Sequence, residues 1–203
     1  MFIERQAISK KGAPRRPVYG AGINDASYVT AYVDSSGKQT ICPYYKVWTA
    51  MLERCFSANL HKRRPTYKGC ALQESWKLFS NFRKWMETQD WQNKVLDKDL
   101  LSWDSKCYGP DTCVFISPAL NNLLTLRNNH RGKYPLGVSK TTMRGYEYFV
   151  ASCSFYGKQT RLGYFKTPED AAASYKQAKL QYMSKLAASE ADTRIKQALL
   201  NLF

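Results

Sequence analysis

Residues 137–187 constrain the fold more than any other part of the chain, because three short strand-like runs are followed by one helix with a strong start signal. The glycines that tight reversals require lie between the runs, at Gly145 and Gly157. The pattern therefore predicts a three-stranded antiparallel sheet. The predicted strands are residues 136–140, 146–155 and 160–165.

The helix that follows this sheet has a well-specified beginning. Thr167 occupies the N-cap position, Pro168 the first helical position, and Asp170 completes an acidic variant of the capping box. Because Ala171 and Ala172 are small, we expect this helix to lie close against the sheet.

The middle strand alternates between two kinds of side chain. Phe149, Ala151 and Cys153 form an apolar face, which is the face expected to receive the helix. The other face is open to two interpretations: a solvated surface, or hydrogen-bonding side chains suited to a nucleic-acid groove. Its predicted members are Tyr148, Ser152, Ser154, Gln159 and Arg161.

The charge of the chain favours a nucleic-acid partner. Its 31 Lys and Arg against 16 Asp and Glu give a formal net charge of +15. No run of apolar residues is long enough to cross a membrane, and the N-terminus lacks a signal-peptide pattern. A basic membrane-surface helix is not evident either. We therefore expect a cytoplasmic protein whose partner is double-stranded DNA.

The segments that carry the sheet and the helix resemble a known family. Gly137-Val138, Phe149-Val150-Ala151, residues 161–165 and the helix start at Thr167 are together similar to the plant Apetala-two/ethylene-response-factor domain and its phage relatives. The resemblance implies that the sheet lies in the major groove of DNA. The contact positions that it implies are Ser139, Thr141, Arg144, Ser152, Ser154, Gln159 and Arg161.

The first half of the chain predicts a second, aromatic-rich module. A short hairpin is expected within residues 22–45, and a helix beginning near Pro43 has an apolar stripe that includes Trp48, Met51 and Leu52. Residues 75–88 predict a second helix with a similar apolar stripe, and the two helices should pack on each other.

Residues 95–124 have the pattern strand, long turn, strand, helix. The strands are predicted at 95–101 and 113–116, and the helix begins at Ser117-Pro118. Asp97, Lys98 and Asp99 lie on the first strand, where they form either a charged strand face or part of an active site.

Residues 20–125 resemble phage HNH-type homing endonucleases, which often carry an Apetala-two-like domain behind the nuclease part. The resemblance implies a ββα-metal centre that uses Mg²⁺ or Mn²⁺. Lys98 stands at the position of the general-base histidine; lysine is a poor base near neutral pH, and its two acidic neighbours favour its protonated form. The resemblance places the helix residue of the centre at Asn121 or Asn122. Because Lys98 is a poor base, the alternative mechanism has Asp97 or Asp99 bind the metal ion, whose bound hydroxide attacks the phosphate. The candidate metal ligands are therefore Asp97, Asp99 and Asn121, with Lys98 completing the candidate catalytic set.

The cysteines give little support to a zinc site. None of the six is spaced Cys-x-x-Cys, and Cys55 and Cys153 lie on apolar faces, which favours small buried hydrophobes. A structural zinc is therefore not expected, and Cys55, Cys70, Cys107 and Cys113 are the single set of suitable composition.

Two segments remain at the edges of these modules. Arg127, Arg131 and Lys133 belong to a basic linker that is suited to following a phosphate backbone. The tail carries Ile195 and Leu199 on one stripe and must dock, either on this chain or in a dimer. The predicted organisation is an α+β chain with a basic flexible arm (1–22), an HNH-like module (23–126), the linker (127–134), the Apetala-two-like domain (135–187) and a C-terminal helix (188–203).

Three classes of function follow. The first is a homing-type DNA endonuclease in the cytoplasm of an infected bacterium. The second is a phage DNA-binding protein that keeps the nuclease fold without its chemistry, and the third is a phage protein that binds a host protein.

Overall fold

The computed structural model describes residues 2–7, 16–102, 104–124, 133–155 and 157–201, with the side chain of Leu123 excepted. The fold is α+β, as predicted. The chain divides into two compact units, Met1–Ile116 and Ser117–Phe203. Among the described residues, no helix is both long enough and apolar enough to cross a membrane.

The first unit is built from short strands and an aromatic core. Its strands are β1 (Ala31–Val33), β2 (Gln39–Ile41), β3 (Ala71–Leu72), β4 (Val95–Asp97), β5 (Cys107–Tyr108) and β6 (Val114–Ile116). Its α-helices are α1 (Pro43–Phe56), α2 (Ala58–Arg63) and α3 (Phe79–Glu87), with 3-10 turns at Pro65–Tyr67 and Glu74–Lys77.

The predicted hairpin and first helix of this unit are confirmed. Strands β1 and β2 pair in antiparallel fashion, and α1 begins at Pro43. The stripe of α1 is buried at Trp48, Met51, Leu52 and Cys55. The Trp48 indole Nε1 donates a hydrogen bond to the Trp76 carbonyl at 2.8 Å, so the polar edge of this core ring is satisfied.

The second predicted helix is interrupted. Residues 75–88 contain the 3-10 turn and then α3, because Leu78 adopts an extended conformation and forms a parallel bridge with Ile23. The amide of Ile23 donates to the Lys77 carbonyl at 2.8 Å, and the amide of Phe79 donates to the Ile23 carbonyl at 3.0 Å. These contacts with a distant segment take the backbone out of the helix.

The predicted strand at 95–101 is also shorter than expected, because β4 ends at Asp97 and a turn follows. Strand β4 pairs with β6 in antiparallel fashion, with Asp97 opposite Val114. The parallel pairing of β3 with β5 was not predicted from the sequence.

Parts of the predicted basic arm contact this unit. Gln6 forms an antiparallel bridge with Tyr28, and Val18 packs against the aromatic core. Residues 8–15, which include most of the arm's basic residues, lie outside the described residues.

The second unit contains a helix, a sheet and two further helices. These elements are α4 (Pro118–Leu124), β7 (Val138–Met143), β8 (Tyr146–Phe155), β9 (Lys158–Phe165), α5 (Pro168–Ser189) and α6 (Thr193–Leu200). The sheet has the order β7-β8-β9 and is antiparallel throughout, which confirms the predicted three-stranded sheet. The start of α5 is also confirmed, because Thr167 Oγ1 accepts from the Asp170 amide at 3.1 Å.

The C-terminal segment packs against α5 within the second unit. Ile195 and Leu199 are buried, at 2% and 0% exposed. Its helix α6 begins at Thr193 with Asp192 as the N-cap, because the Asp192 carboxylate accepts from the Arg194 amide at 2.8 Å.

Candidate nucleic-acid interface

Strand register determines which side chains of the second unit share a face. Directly paired residues of antiparallel strands project to the same side of a sheet. Ser139 pairs with Val150, and Thr141 pairs with Tyr148. On the other edge of β8, Ser152 pairs with Arg161 and Ser154 with Gln159. The seven strand positions predicted to contact DNA therefore lie on one face, which we call the open face: Ser139, Thr141, Tyr148, Ser152, Ser154, Gln159 and Arg161.

The opposite face of the sheet is covered by α5. Ala151 is 0% exposed, Cys153 is buried, and Ala171 of the helix is also buried. The Phe155 ring meets the Tyr182 ring edge to face, with centroids 4.9 Å apart. Small residues on both elements let the helix approach the sheet on this side.

A bulge in the pairing of β8 with β9 places Arg161 on the open face. Ala151 pairs with Gly163, but the next residue, Ser152, pairs with Arg161 rather than with Leu162. Without this extra residue, the two-residue period of β9 would put Arg161 on the same side as Gly163, beneath α5. The bulge therefore turns a cationic side chain outward.

Arg161 is held by Tyr164, a residue that sequence reasoning did not identify. The Arg161 Nη1 donates to the Tyr164 hydroxyl at 2.5 Å, and its guanidinium carbon lies 5.2 Å from the centroid of the Tyr164 ring. Tyr164 pairs with Val150 and so belongs to the open face. The Tyr148 ring contacts it edge to face at 6.4 Å. Residues three apart in a regular strand lie on opposite faces, so the sequence indicates the contact between Arg161 and Tyr164 only when the bulge is known.

Arg144 lies in the turn between β7 and β8. Its φ is 52° and that of Gly145 is 81°, the two positive values of a two-residue hairpin turn. The side chain is exposed at one end of the sheet. Lys133, from the predicted linker, is also exposed, whereas Arg127 and Arg131 lie outside the described residues.

The charge of the sheet is unevenly distributed between its faces. Glu147 is the single carboxylate of residues 138–166. It projects to the side opposite the open face, where its Oε1 lies 2.5 Å from Lys140 Nζ. Within the described strands the open face therefore carries cationic, hydroxyl and amide groups without a carboxylate. This combination favours a polyanion with hydrogen-bonding groups on its surface.

The candidate catalytic carboxylate Asp97 caps a turn. Its Oδ1 accepts hydrogen bonds from the amides of Asp99 at 3.0 Å and Leu100 at 2.8 Å. Burial raises the pKa of this carboxyl above its ordinary value, although the two amides oppose the shift. The observed contacts of this oxygen are those of a local structural cap.

Lys98 and Asp99 form an ion pair beside Asp97. Lys98 is buried, at 7% exposed, while the Asp99 side chain is 57% exposed. The Lys98 Nζ also lies 5.8 Å from the centroid of the Tyr108 ring. A buried ammonium of this kind is stabilised by its paired carboxylate and the aromatic face.

Asn121, the remaining candidate metal ligand, belongs to the second unit. It lies half-buried on α4, where its backbone amide donates to the Ser117 carbonyl at 2.9 Å. Among the described residues, no group of three or more His, Cys, Asp or Glu side chains is arranged to hold a metal ion.

The four cysteines considered for zinc are free thiols of the first unit. Cys55, Cys70 and Cys113 are buried and Cys107 is half-buried. Burial raises the pKa of Cys55 to about 12, with a further contribution from the other three thiols, and that of Cys113 to about 11. Both groups are therefore protonated thiols at neutral pH.

Comparison with known protein families, curated proteins and solved structures gave no match for this chain.

Proposed function

We propose that this chain binds double-stranded DNA, with the open face of the second unit against the duplex. The observation that carries the proposal is the shared face of the seven strand positions, opposite the face packed by α5. The chain's net charge of +15 supplies the long-range attraction to a polyanion.

The open face combines the two kinds of contact that a sequence-reading surface needs. Hydroxyl and amide groups such as Ser154 and Gln159 are exposed and donate or accept hydrogen bonds at base edges. Arg161 offers a guanidinium that matches the two acceptors of guanine in the major groove. Because Tyr164 restrains that guanidinium, less side-chain freedom is lost when DNA binds.

The proposal is tested by binding of fluorescent duplexes to the whole chain and to two variants of equal charge. We expect Arg161→Ala to lower the affinity about tenfold or more, which corresponds to roughly 1–3 kcal/mol for a guanine contact. Lys176→Ala removes one charge from an exposed position of α5 and is the matched control. We expect the control to change the affinity by less than about threefold. In this proposal Lys176 does not touch the DNA, so its charge acts only over a distance at which salt screens it.

Equal losses for Arg161→Ala and Lys176→Ala would contradict the assignment of the open face. A wild-type chain that does not bind duplex DNA even at low salt would contradict DNA binding itself. That outcome would favour the third class of function, a phage protein that binds an acidic host protein.

Metal-dependent cleavage in the manner of HNH homing endonucleases is a second candidate. It is favoured by the antiparallel pairing of β4 with β6, which α4 follows in the chain, although β5 lies between these two strands in sequence and pairs with β3. However, the Asp97 Oδ1 accepts two amides and Asp99 pairs with Lys98, so these carboxylates are already engaged by the protein. The residues as placed do not fit a metal centre, and we therefore rank DNA binding above cleavage.

Nicking of supercoiled phage DNA with Mg²⁺ or Mn²⁺, with and without chelator, tests this candidate. Cleavage that is abolished by chelator and by the Asp97→Ala, Asp99→Ala double variant would restore it. Absence of cleavage by a chain that binds DNA would favour a DNA-binding protein without nuclease chemistry.

A further inference from the structure

The first unit carries a basic segment that the proposed function does not use. Residues 54–73 contain no Asp or Glu. Lys62, Arg63, Arg64 and Lys68 are all exposed within it. The segment is therefore a concentration of positive charge with no acidic residue in its own sequence.

Local hydrogen bonds fix the backbone of this segment. Ser57 caps α2 by accepting from the Leu60 amide at 3.2 Å, and the His61 imidazole Nε2 lies 2.8 Å from the Arg54 carbonyl. The Arg64 amide then donates to the Leu60 carbonyl at 2.7 Å, and the Lys68 amide donates to the Pro65 carbonyl at 3.0 Å. The cationic side chains thus project from an ordered turn rather than from a loose loop.

A fifth cation joins the segment from another part of the sequence. The parallel pairing of β3 with β5 brings Lys106 alongside, and the Ala71 amide donates to the Lys106 carbonyl at 2.9 Å. The Lys106 Nζ donates to the Lys68 carbonyl at 3.1 Å. The Lys106 ammonium therefore lies against the backbone of the basic segment. We call this surface the basic strip: Lys62, Arg63, Arg64, Lys68 and Lys106.

Some other cations of the first unit are neutralised within the protein. Lys77 pairs with Glu74 at 2.8 Å, Lys94 pairs with Asp90 at 2.8 Å, and Arg83 pairs with two glutamates. In the described part of the chain, no member of the basic strip forms an ion pair with a carboxylate. Clustered like charges repel one another, and an external polyanion relieves that repulsion.

We propose that the basic strip is a second DNA-binding surface, which contacts backbone phosphates and leaves base reading to the open face. The choice of duplex DNA as the polyanion rests on the proposed function. Long cationic side chains on an exposed turn suit phosphate oxygens, which can be approached from many directions. Contacts of this kind add affinity that is independent of DNA sequence and sensitive to salt.

The test measures duplex affinity as a function of salt for the whole chain. The Lys62→Ala, Arg63→Ala, Arg64→Ala triple variant removes three charges from the strip. We expect its slope of log K against log salt to become shallower by about 0.9 for each phosphate that the variant no longer neutralises, up to about 2.7, with at least tenfold weaker binding at low salt. The matched control removes three exposed charges elsewhere in the first unit: Lys38→Ala, Lys46→Ala and Lys84→Ala.

Lys106→Ala provides an independent second variant, because Lys106 directly precedes β5 and lies outside the α2 segment. We expect its slope of log K against log salt to become shallower by about 0.9. Thermal unfolding of each variant tests whether the fold is retained. Random-sequence duplexes should show the same slope change as specific ones.

Three results would overturn the inference. One is a strip variant that binds duplex DNA like its control, while Arg161→Ala weakens binding; the proposed function would then stand and only the strip would fail. Another is a strip variant that loses binding to single-stranded RNA but not to duplex DNA. The third is a wild-type chain that binds no duplex at low salt, in which case the proposed function fails as well.

Discussion

The two units differ in how they use large aromatic side chains: the first buries its largest rings, whereas the second leaves two tyrosine rings of its sheet exposed. In the first unit Trp48, Trp76 and Phe79 are at most 2% exposed. In the second unit Tyr146 is 70% exposed and Tyr164 is 43% exposed. The second core is built instead from small residues at the sheet–helix contact, together with side chains of α5 and α6.

This difference shows that the role of an aromatic residue depends on whether it faces the core or the solvent. A tryptophan in α1 supplies hydrophobic burial, which stabilises a unit whose strands are only two or three residues long. A tyrosine on the open face gains little from burial, and its ring and hydroxyl remain accessible to a partner.

Two arginines, one in each unit, show the same contrast. Arg54 is half-buried. Burial by itself would lower the pKa of its guanidinium, but the phenols of Tyr108 and Tyr67 and the Asp97 carboxylate hold that pKa above its ordinary value. Burial likewise raises the pKa of Tyr108. In the second unit Arg161 and Gln159 are exposed. The first arrangement stabilises a fold, and the second is available for binding.

The largest expected effect tests the contrast between buried and exposed aromatic side chains. We expect Trp48→Ala to lower the free energy of unfolding by about 3–5 kcal/mol, because it leaves a cavity and an unpaired Trp76 carbonyl. Tyr146→Ala should cost less than about 0.5 kcal/mol, since its ring is mostly in solvent. Chemical denaturation followed by far-ultraviolet circular dichroism is a suitable measurement, because both units contain helices and strands. Similar costs for the two variants would contradict the contrast.

The next effect concerns close packing in the second unit. Gly137 has φ +77°, and a Cβ added there would lie 2.1 Å from Cδ2 of Tyr175. We expect Gly137→Ala to cost about 2–4 kcal/mol from overlap and backbone strain. Gly145→Ala is the matched control, because its φ is +81° but no atom lies within 4 Å of the added Cβ.

Amide hydrogen exchange in β7 and β8 reads the effect of these two variants directly. The control should cost about 1 kcal/mol from strain alone. If both glycine variants exchange at the same rate, the close approach of α5 to the start of β7 is not limiting for stability.

The smallest expected effect tests whether Asp97 is a structural cap. Asp97→Ala removes the acceptor of two backbone amides and should cost about 1–2 kcal/mol. Asp97→Asn keeps an oxygen acceptor and should cost less.

The pH dependence of these variants has a definite sign. Because burial raises the pKa of Asp97 in the fold, its contribution to stability is full below the unfolded value of about 3.9 and is lost as pH rises through the folded pKa. Asp97→Asn lacks this loss, so its stability relative to the wild type should increase between pH 4 and pH 7. Urea denaturation at both pH values measures it, and a decrease would show that the charged carboxylate stabilises the unit.

Sequence patterns predicted the second unit well because its signals are local. Two-residue alternation, turn glycines and the Thr167 cap act within a few residues of one another. The same locality explains why α1 was predicted from its stripe and its starting proline. Prediction from local signals failed where a distant segment pairs with the backbone. An example is Leu78, whose bridge to Ile23 interrupts the helix predicted over residues 75–88.

The candidate site was predicted in part for the same reason. Alternation along β8 identified the open face, but the bulge that puts Arg161 there depends on how β9 pairs with β8. Tyr164 was missed because its contact with Arg161 follows from that bulge. In the first unit, the spacing of Asp97, Lys98 and Asp99 did not distinguish an active site from a turn whose lysine is buried.

The sequence by itself determined the α+β class, the three strands and capped helix of the second unit, and the excess of positive charge. These properties depend on composition and on contacts between near neighbours in the chain. Tertiary structure decided which charges are buried and which are presented to solvent. Lys98 and Lys106 are both lysines of one short stretch, yet Lys98 is buried near the Tyr108 ring and paired with its neighbour Asp99, whereas Lys106 extends the basic strip. Lys106 reaches the Lys68 carbonyl because β5 pairs with β3, a strand far away in sequence.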